Sequence, residues 1–222
     1  MKIISITTQK GGAGKTTLAT NLAVSAAQNG DVTLLLDADS RQLTALEWYK
    51  RRDNKENPIV IEIQDQVALD KMIVAAKCKG VNTIIIDTQG AQTNLTNHVM
   101  SISDFCLVPC KSGGFDIGAQ RSTAMTLQKL KKDAAFVVTQ APSRGQEVIE
   151  TKTILSGLGL TIYKDQISLL KAYKDAALFS SSVIEDAKDS KAIGEIEDLY
   201  KWIVKQIKNL NIAKELQETA NG

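Results

Sequence analysis

The chain has 222 residues, 43% of them hydrophobic and 23% charged, which is the composition of a soluble globular protein. Its length allows one α/β domain or two very small ones, and a core of that size needs no disulfide or metal to stabilise it. The net charge of +2 is too small to predict nucleic-acid binding by itself, so any contact with DNA must come from a local patch.

Neither secretion nor membrane insertion is indicated by the sequence. No stretch approaches the roughly eighteen consecutive apolar residues of a membrane-spanning helix. The short apolar run after Met1 and Lys2 is typical of a core strand rather than a signal peptide. The three cysteines lack the paired spacing of a zinc site, and His98 has no partner pattern for metal binding or catalysis. A cytoplasmic protein with reduced thiols is therefore expected.

The first predicted element is an apolar, β-branched strand over 3–8 that runs directly into a glycine-rich loop. The glycines carry no Cβ and can adopt positive φ, so successive N–H groups can turn toward a phosphate. A helix predicted from about Lys15 adds the positive end of its dipole. A plain glycine turn would explain the loop alone, but strand, loop, Gly-Lys-Thr and helix follow in the order that phosphate binding requires. The stretch predicts a nucleotide site in which Lys15 reaches the β- and γ-phosphates and the Thr16 hydroxyl binds Mg²⁺.

One position departs from the usual phosphate loop. Where that loop has a glycine five residues before Gly14, this chain has Gln9, and a second lysine, Lys10, opens the loop. A lysine among phosphate-facing amides is difficult to explain by packing. We interpret Lys10 as a second cation for a triphosphate.

Two later strands end in acids. The strand over 32–36 is followed by Asp37 and Asp39, and the strand over 83–87 terminates in Asp87. Acids at the carboxyl ends of parallel strands lie where open α/β sheets bind ligands. An apolar strand that ends in an acid is also the Walker B pattern. Asp37 and Asp39 are both candidates for positioning an attacking water.

Strands and helices alternate along the whole chain. The predicted strands cover 3–8, 32–36, 59–63, 83–87, 105–109, 134–139 and 160–163. The predicted helices cover 16–29, 43–52, 66–79, 93–101, 117–130, 146–156, 168–177 and 191–216, with a turn over 54–58 and a polar loop over 180–190. This alternation predicts an α/β fold with one doubly wound, mostly parallel sheet flanked by helices. Because no linker, repeat or low-complexity tract interrupts it, residues 1–222 are predicted to form a single domain.

A resemblance to a known family rests on the eight residues Lys10-Gly11-Gly12-Ala13-Gly14-Lys15-Thr16-Thr17. This motif resembles the deviant Walker A motif of the ParA/MinD family of P-loop ATPases, and the later landmarks follow at fitting distances over most of the chain. Gln9 is more similar to the ParA branch. The resemblance implies slow ATP hydrolysis and an ATP-bound homodimer, a nucleotide sandwich in which Lys10 touches the phosphates of the other subunit.

The resemblance also implies roles for individual residues. By position, Asp39 orients the attacking water, Asp37 lies near the Mg²⁺ shell, and Asp87 holds a water of that shell. The expected catalytic residues are Lys10, Lys15 and Asp39. The expected metal residues are Thr16, Asp37 and Asp87. The expected ATP-binding residues are Lys10, Gly11, Gly12, Ala13, Gly14, Lys15, Thr16, Thr17, Gln140 and Pro142, of which Gln140 and Pro142 would contact adenine.

Two loops depart from the family pattern. Ser40-Arg41 stands where relatives usually have Pro-Gln after the Asp-x-Asp motif, and Thr88-Gln89-Gly90 follows the Walker B strand where many have Thr-Pro or Thr-Ala-Gly. In the family these loops close over the γ-phosphate and line the dimer face. The departures therefore bear on hydrolysis and switching more than on nucleotide binding.

ParA relatives bind DNA without sequence preference as ATP-bound dimers, which predicts phosphate contacts from Lys and Arg with a strong salt dependence. The basic clusters are Lys164, Lys171 and Lys174; Arg121, Lys129, Lys131 and Lys132; and Lys201, Lys205 and Lys208. Lys171 and Lys174 are favoured because they lie in the segment that matches the DNA-contacting region of relatives. Solvated helix faces would produce the same clusters.

The expected function is ATP-dependent DNA partition by a nucleoid-associated protein whose hydrolysis a centromere-binding adaptor protein stimulates. Two alternatives stay open: a ParA-like positioning ATPase for a protein cargo, and a MinD-like ATPase that binds a membrane through its last helix. The stripe that such an anchor would use consists of Ile196, Leu199, Ile203, Ile207 and Leu210. A helix docked on its own sheet has the same stripe, and we prefer that interpretation.

Overall fold

The computed structural model describes residues 1–53, 56–113, 117–142, 146–186 and 188–220. The strands in this part of the chain are β1 (Lys2–Ile6), β2 (Thr33–Ala38), β3 (Ile59–Glu62), β4 (Thr83–Thr88), β5 (Phe105–Lys111), β6 (Ala134–Ala141) and β7 (Thr161–Ser168). The helices are α1 (Lys15–Gln28), α2 (Thr44–Lys50), α3 (Gln66–Cys78), α4 (Asn94–Ile102), α5 (Ile117–Lys129), α6 (Glu147–Ser156), α7 (Lys171–Leu178), α8 (Val183–Asp186) and α9 (Ser190–Ala220).

The seven strands form one sheet in the order β3-β2-β4-β1-β5-β6-β7. Each neighbouring pair is parallel, which confirms the predicted doubly wound α/β fold. After β1, the chain places β2 and β3 on one side, inserts β4 between β2 and β1, and then adds β5, β6 and β7 on the other side. The strand order therefore reverses beside β1, and such a switch point is where open α/β sheets bind ligands.

Helices cover both faces of the sheet because each central strand buries apolar side chains on both sides. Residues of α1, α2 and α7 to α9 share one core cluster with Ile4 and Ile6. Residues of α3 to α6 pack against the opposite face, around Ile86 and Phe136. The two layers fix the carboxyl ends of β1, β2 and β4 at one edge, where the predicted site lies.

The apolar stripe of α9 is part of the core. Ile196, Leu199, Ile203 and Ile207 are buried in the same cluster as α1, so the preferred interpretation of a helix docked on its own sheet is confirmed. These four side chains are not available to a lipid surface. Among the described helices, none combines the length and the apolar character that crossing a bilayer requires.

Two predicted boundaries were wrong near the end of the chain. β7 extends to Ser168, where the sequence predicts the start of a helix, and α7 begins at Lys171. The polar residues after Tyr163 end the apolar run, yet an edge strand can expose such residues to solvent. The predicted polar loop over 180–190 contains the short helix α8, while residue 187 and residues 54 and 55 of the predicted turn lie outside the described residues.

A buried arginine connects the end of α2 to α8. The Arg52 side chain is 3% exposed, and its Nη1 donates to Oε2 of Glu185 over 2.8 Å. The guanidinium carbon also lies 4.4 Å from the centre of the Trp48 ring. Burial alone would raise the pKa of Glu185, but the hydrogen bonds and charge of Arg52 lower it below its usual value. This contact stabilises the helix that directly follows the segment carrying Asp39.

We expect Arg52→Ala to lower the free energy of unfolding by about 2–3 kcal/mol, because Glu185 is left partly buried without its cation. Urea denaturation measures this loss. The matched control is Lys50→Ala, which breaks an exposed pair with Glu47 and is expected to cost below about 1 kcal/mol. Equal losses in the two variants would contradict a structural role for the buried pair.

Candidate nucleotide-binding site

The phosphate loop connects the end of β1 to the start of α1. Gly14 precedes the helix with a φ of +84°, in the left-handed region that disfavours side chains. No side chain caps the start of α1, and the first N–H groups of a helix have no intrahelical partner. Together with the helix dipole, these N–H groups form a binding site for an anion.

Two residues at the end of β6 hold the loop in this shape. The Thr139 hydroxyl donates to the Ala13 carbonyl oxygen over 2.9 Å, and the Gln140 side-chain amide donates to the Gly12 carbonyl oxygen over 2.7 Å. Carbonyl oxygens of the loop are thereby occupied by β6. The sequence predicts Gln140 only as an adenine contact, so its hydrogen bond to the loop is an additional finding.

Lys15 is held close to the loop and to two acids. The residue is buried, and its Nζ donates to the Lys10 carbonyl oxygen over 3.4 Å. Burial lowers the pKa of the Lys15 ammonium group, while the charges of Asp87 and Asp39 act in the opposite direction. A poorly hydrated ammonium group in this position favours a phosphate oxygen as an additional anionic partner.

Thr16 and Asp87 bring the first turn of α1 to the end of β4. The Thr16 hydroxyl donates to Oδ2 of Asp87 over 2.6 Å, whereas Oδ1 of Asp87 is buried and has no partner among the described residues. Burial raises the pKa of Asp87 to about 7, against the opposing effects of the Thr16 hydrogen bond and the Lys15 charge. A hydroxyl oxygen beside an unpartnered carboxylate oxygen fits the oxygen ligands of Mg²⁺. These two residues could hold the ion directly or through its waters.

Asp37 lies beside Asp87, since the two residues are paired in the register of β2 and β4. Its Oδ1 accepts from the Asp39 N–H over 3.1 Å, and its Oδ2 accepts from the Leu46 N–H over 2.9 Å. Burial raises the pKa of Asp37, and these backbone hydrogen bonds counteract the rise. The contacts show that Asp37 positions the segment carrying Asp39; its place near a Mg²⁺ shell stays a prediction.

An open cavity of about 430 Å³ lies over the phosphate loop. Asp39 and Arg41 line it from the segment after β2, and Gln89 and Gly90 line it from the segment after β4. Asp39 is partly exposed, as a residue that positions a water must be. Lys10 is exposed on the loop, where its side chain can reach beyond its own chain. Arg41 and Gln89, which depart from the family pattern, both border this cavity.

Gly90 touches the phosphate loop in a way that sequence reasoning did not anticipate. A Cβ on Gly90 would lie 3.1 Å from the Gly11 nitrogen and 3.3 Å from Nζ of Lys15. A side chain at this position would therefore require Gly11 or Lys15 to shift by a few tenths of an ångström. The signal available in the sequence was a glycine three residues after Asp87, at the position of the glycine in the Thr-Ala-Gly of relatives.

A second cavity of about 260 Å³ adjoins the first, and Thr17 and Gln140 line both. Its other walls include Tyr173 and several aliphatic side chains. A mainly apolar slot beside a phosphate loop suits a nucleotide base. Lys174, which the sequence favours for DNA contact, also lines this slot. Pro142 is not among the described residues that line either cavity.

The remaining polar candidates lie away from the loop. Nε2 of His98 lies 2.7 Å from Oδ1 of Asp70, in a partly exposed pair. Cys106 and Cys110 are buried, and Cys78 is exposed. Within the described ranges, no group of three or more His, Cys, Asp or Glu residues could hold a metal ion. His98 and the three cysteines line neither of the two described cavities at the loop.

A parallel sheet with a phosphate loop at its switch point defines a P-loop nucleotide-binding protein. The family model of the CobQ/CobB/MinD/ParA nucleotide binding domain matches residues 4–219. The chain belongs to this family, which includes the ParA and MinD P-loop ATPases, and the resemblance inferred from the loop motif is thus confirmed.

Individual relatives have low sequence identity to this chain. Protein ParA of Rhizobium radiobacter is 26% identical over 188 residues, which cover 81% of this chain and 82% of the relative. Maintenance of carboxysome distribution protein A of Halothiobacillus neapolitanus is 22% identical over 209 residues, covering 90% of this chain and 95% of the relative. Among solved structures, the septum site-determining protein MinD complexed with Mg-ADP from Pyrococcus horikoshii has a TM-score of 0.74 at 17% identity, covering 91% of this chain and 95% of that one. The last comparison supports the fold.

We expect Gly90→Ala to weaken ATP binding by about tenfold, because the added Cβ forces the phosphate loop or Lys15 to shift. Isothermal titration measures the affinity, and thermal unfolding checks that the fold is intact. Gly194→Ala is the control, since a Cβ at Gly194 in α9 meets nothing within 4 Å. An unchanged affinity in Gly90→Ala would show that the close approach is not needed for binding.

Proposed function

We propose that the chain is an ATP-hydrolysing switch for DNA partition, which dimerises with ATP and releases DNA after hydrolysis. The observation that carries the nucleotide part is the juxtaposition of the phosphate loop, Lys15 and Thr16 at one cavity, with Asp87 hydrogen-bonded to Thr16. Membership of the ParA and MinD family supports the ATPase activity. The relative named ParA supports the partition role.

In this proposal the triphosphate lies on the N–H groups of the loop, with Thr17 beside the α-phosphate and the base in the apolar slot near Gln140. Lys15 neutralises charge on the β- and γ-phosphates. Bound Mg²⁺ on Thr16 would screen the remaining phosphate charge. The ligand then contacts the ends of β1, β4 and β6 at once.

Hydrolysis requires a water in line with the γ-phosphate. Asp39 borders the cavity and lies near enough to Lys15 to influence its pKa, so it is the residue proposed to position that water. The water oxygen bonds to the γ-phosphorus as the bond to the β–γ bridging oxygen breaks, giving ADP and inorganic phosphate. A carboxylate contributes here mainly by orientation, so turnover is expected to be slow without a stimulating partner.

Dimerisation is assigned to the exposed Lys10. Two such loops facing each other would place each Lys10 near the phosphates of the other subunit. The charge of a triphosphate then favours the dimer, and loss of the γ-phosphate weakens it. The lifetime of the dimer sets how long DNA is held, and a centromere-binding adaptor protein is the proposed stimulator.

A second candidate function is the positioning of a protein cargo. The relative named for maintenance of carboxysome distribution aligns with 90% of this chain, a larger share than the 81% aligned with the ParA relative. Such a protein would use the same ATP-dependent switch with a different adaptor. The cargo partner therefore distinguishes the two functions, whereas the nucleotide site does not.

We expect Asp39→Ala to retain ATP binding but to hydrolyse ATP at least about a hundredfold more slowly, because the water loses its positioning group. Multi-angle light scattering with ATP and Mg²⁺ should then show a persistent dimer. Lys15→Ala is the control that loses ATP binding and stays monomeric, and Lys10→Ala should bind ATP without dimerising. Hydrolysis by Asp39→Ala at the parental rate would place the water elsewhere.

DNA contact by Lys171 and Lys174 is tested by charge reversal. Lys171 is exposed and lies 3.5 Å from Asp175, so its charge is partly compensated. We expect Lys171→Glu/Lys174→Glu to weaken ATP-dependent DNA retention and to reduce its salt slope by about two. Because Lys174 lines the base slot, ATP affinity must be measured in the same variant. Lys201→Glu/Lys205→Glu on α9 is the matched control, and equal retention by both variants would move the DNA surface away from α7.

A further inference from the structure

A surface groove of about 620 Å³ lies between α4 and α5, on the helical layer opposite α1. We call it the α4–α5 groove. The side chains used below to describe it are Gln92, Arg121, Ser122, Met125 and Lys129. It is separate from both cavities at the phosphate loop and shares no lining residue with them.

The groove carries two exposed cations. Arg121 and Lys129 are exposed along one side of α5, and no ion pair is recorded for either in the described part of the chain. No Asp or Glu occurs anywhere in residues 117–132, and none lines the described groove. A pair of exposed cations two helical turns apart favours an anionic partner.

Two features favour a peptide over duplex DNA. Met125 is 62% exposed and offers an apolar contact between the two cations. Neighbouring helices pack about 8–10 Å apart, so a groove between them admits a single peptide chain but not a duplex.

The groove is connected to the phosphate loop by hydrogen bonds. Nε2 of Gln9 donates to Oε1 of Gln92 over 3.3 Å and to the Ser122 hydroxyl over 3.1 Å. Gln9 directly precedes Lys10, and Gln92 follows the segment in which Gly90 touches Gly11. A ligand that displaces Gln92 or Ser122 therefore disturbs both segments that border the triphosphate.

We propose that the α4–α5 groove binds an acidic peptide segment with one apolar side chain, carried by a protein that regulates the nucleotide site. Acidic side chains would pair with Arg121 and Lys129, and the apolar side chain would contact Met125. The bound peptide would act on the nucleotide site through Gln92. The regulatory part rests on the proposed ATPase function, whereas peptide binding does not.

The test is a selection from displayed random peptides of about twelve residues against the full chain with ATP and Mg²⁺. Enriched peptides should be acidic and contain an aliphatic or aromatic residue. A synthetic enriched peptide should bind Arg121→Glu/Lys129→Glu at least about tenfold more weakly than the parent, and its affinity should fall with salt. Lys71→Glu/Lys77→Glu on α3 is the charge-matched control and should bind like the parent.

Three results would overturn the proposal: enrichment of neutral or basic peptides, no enrichment, or equal affinity for the Arg121→Glu/Lys129→Glu variant and the parent. A short duplex DNA is measured in parallel, and loss of DNA binding alone in that variant would make this surface a DNA site instead.

Gln92→Ala should bind the peptide, but the peptide should no longer change the ATPase rate of this variant. If the parent binds the acidic peptide but neither binds nor hydrolyses ATP, the proposed function fails while the groove assignment stands.

Discussion

The constraint on which the rest of the structure depends is the tight turn from β1 into α1, which leaves helix N–H groups free for an anion. The turn is stable in this shape because neighbouring strands hold it. Hydrogen bonds from Thr139 and Gln140 occupy its carbonyl oxygens, and Thr16 is bonded to Asp87 at the end of β4. A parallel sheet supplies these partners because the carboxyl ends of its strands meet at one edge. The topology of the sheet therefore determines the shape of the phosphate site.

Burial shifts the pKa values of the charged groups in the site. Asp37, Asp87 and Lys15 are all buried, and burial raises the pKa of each acid and lowers that of the lysine. The backbone hydrogen bonds of Asp37 oppose the effect of its desolvation, whereas one oxygen of Asp87 has no partner among the described residues. A buried ammonium group favours a ligand with negative phosphate oxygens, and a buried carboxylate oxygen without a partner favours a divalent cation.

Local patterns in the sequence were sufficient for the sheet, the phosphate loop and the Walker B strand, because strand periodicity and glycine spacing are properties of adjacent residues. The extent of β7 was not predictable, since an edge strand carries polar residues that resemble a loop. The contacts of Gly90, Gln92 and Gln140 with the phosphate loop were also missed. Each joins segments far apart in the chain, and only the folded sheet brings them together. Lys174 was favoured for DNA contact because its segment matches the DNA-contacting region of relatives, whereas its position beside the base slot depends on where α7 packs.

The two segments that form the walls of the phosphate cavity are held by contacts of different strength. The wall that carries Asp39 continues into α2, which the buried Arg52–Glu185 pair joins to the core helices. The wall that carries Gln89 and Gly90 starts at Thr88, whose buried hydroxyl donates to the Ile6 carbonyl oxygen, but its far end is held by the exposed amide of Gln92 with bonds of 3.3–3.5 Å. The far end of the second wall is therefore held by weaker contacts than the first wall. Any movement that accompanies a change of nucleotide would propagate toward α5 in preference to α2, which gives the molecule a direction for its signal.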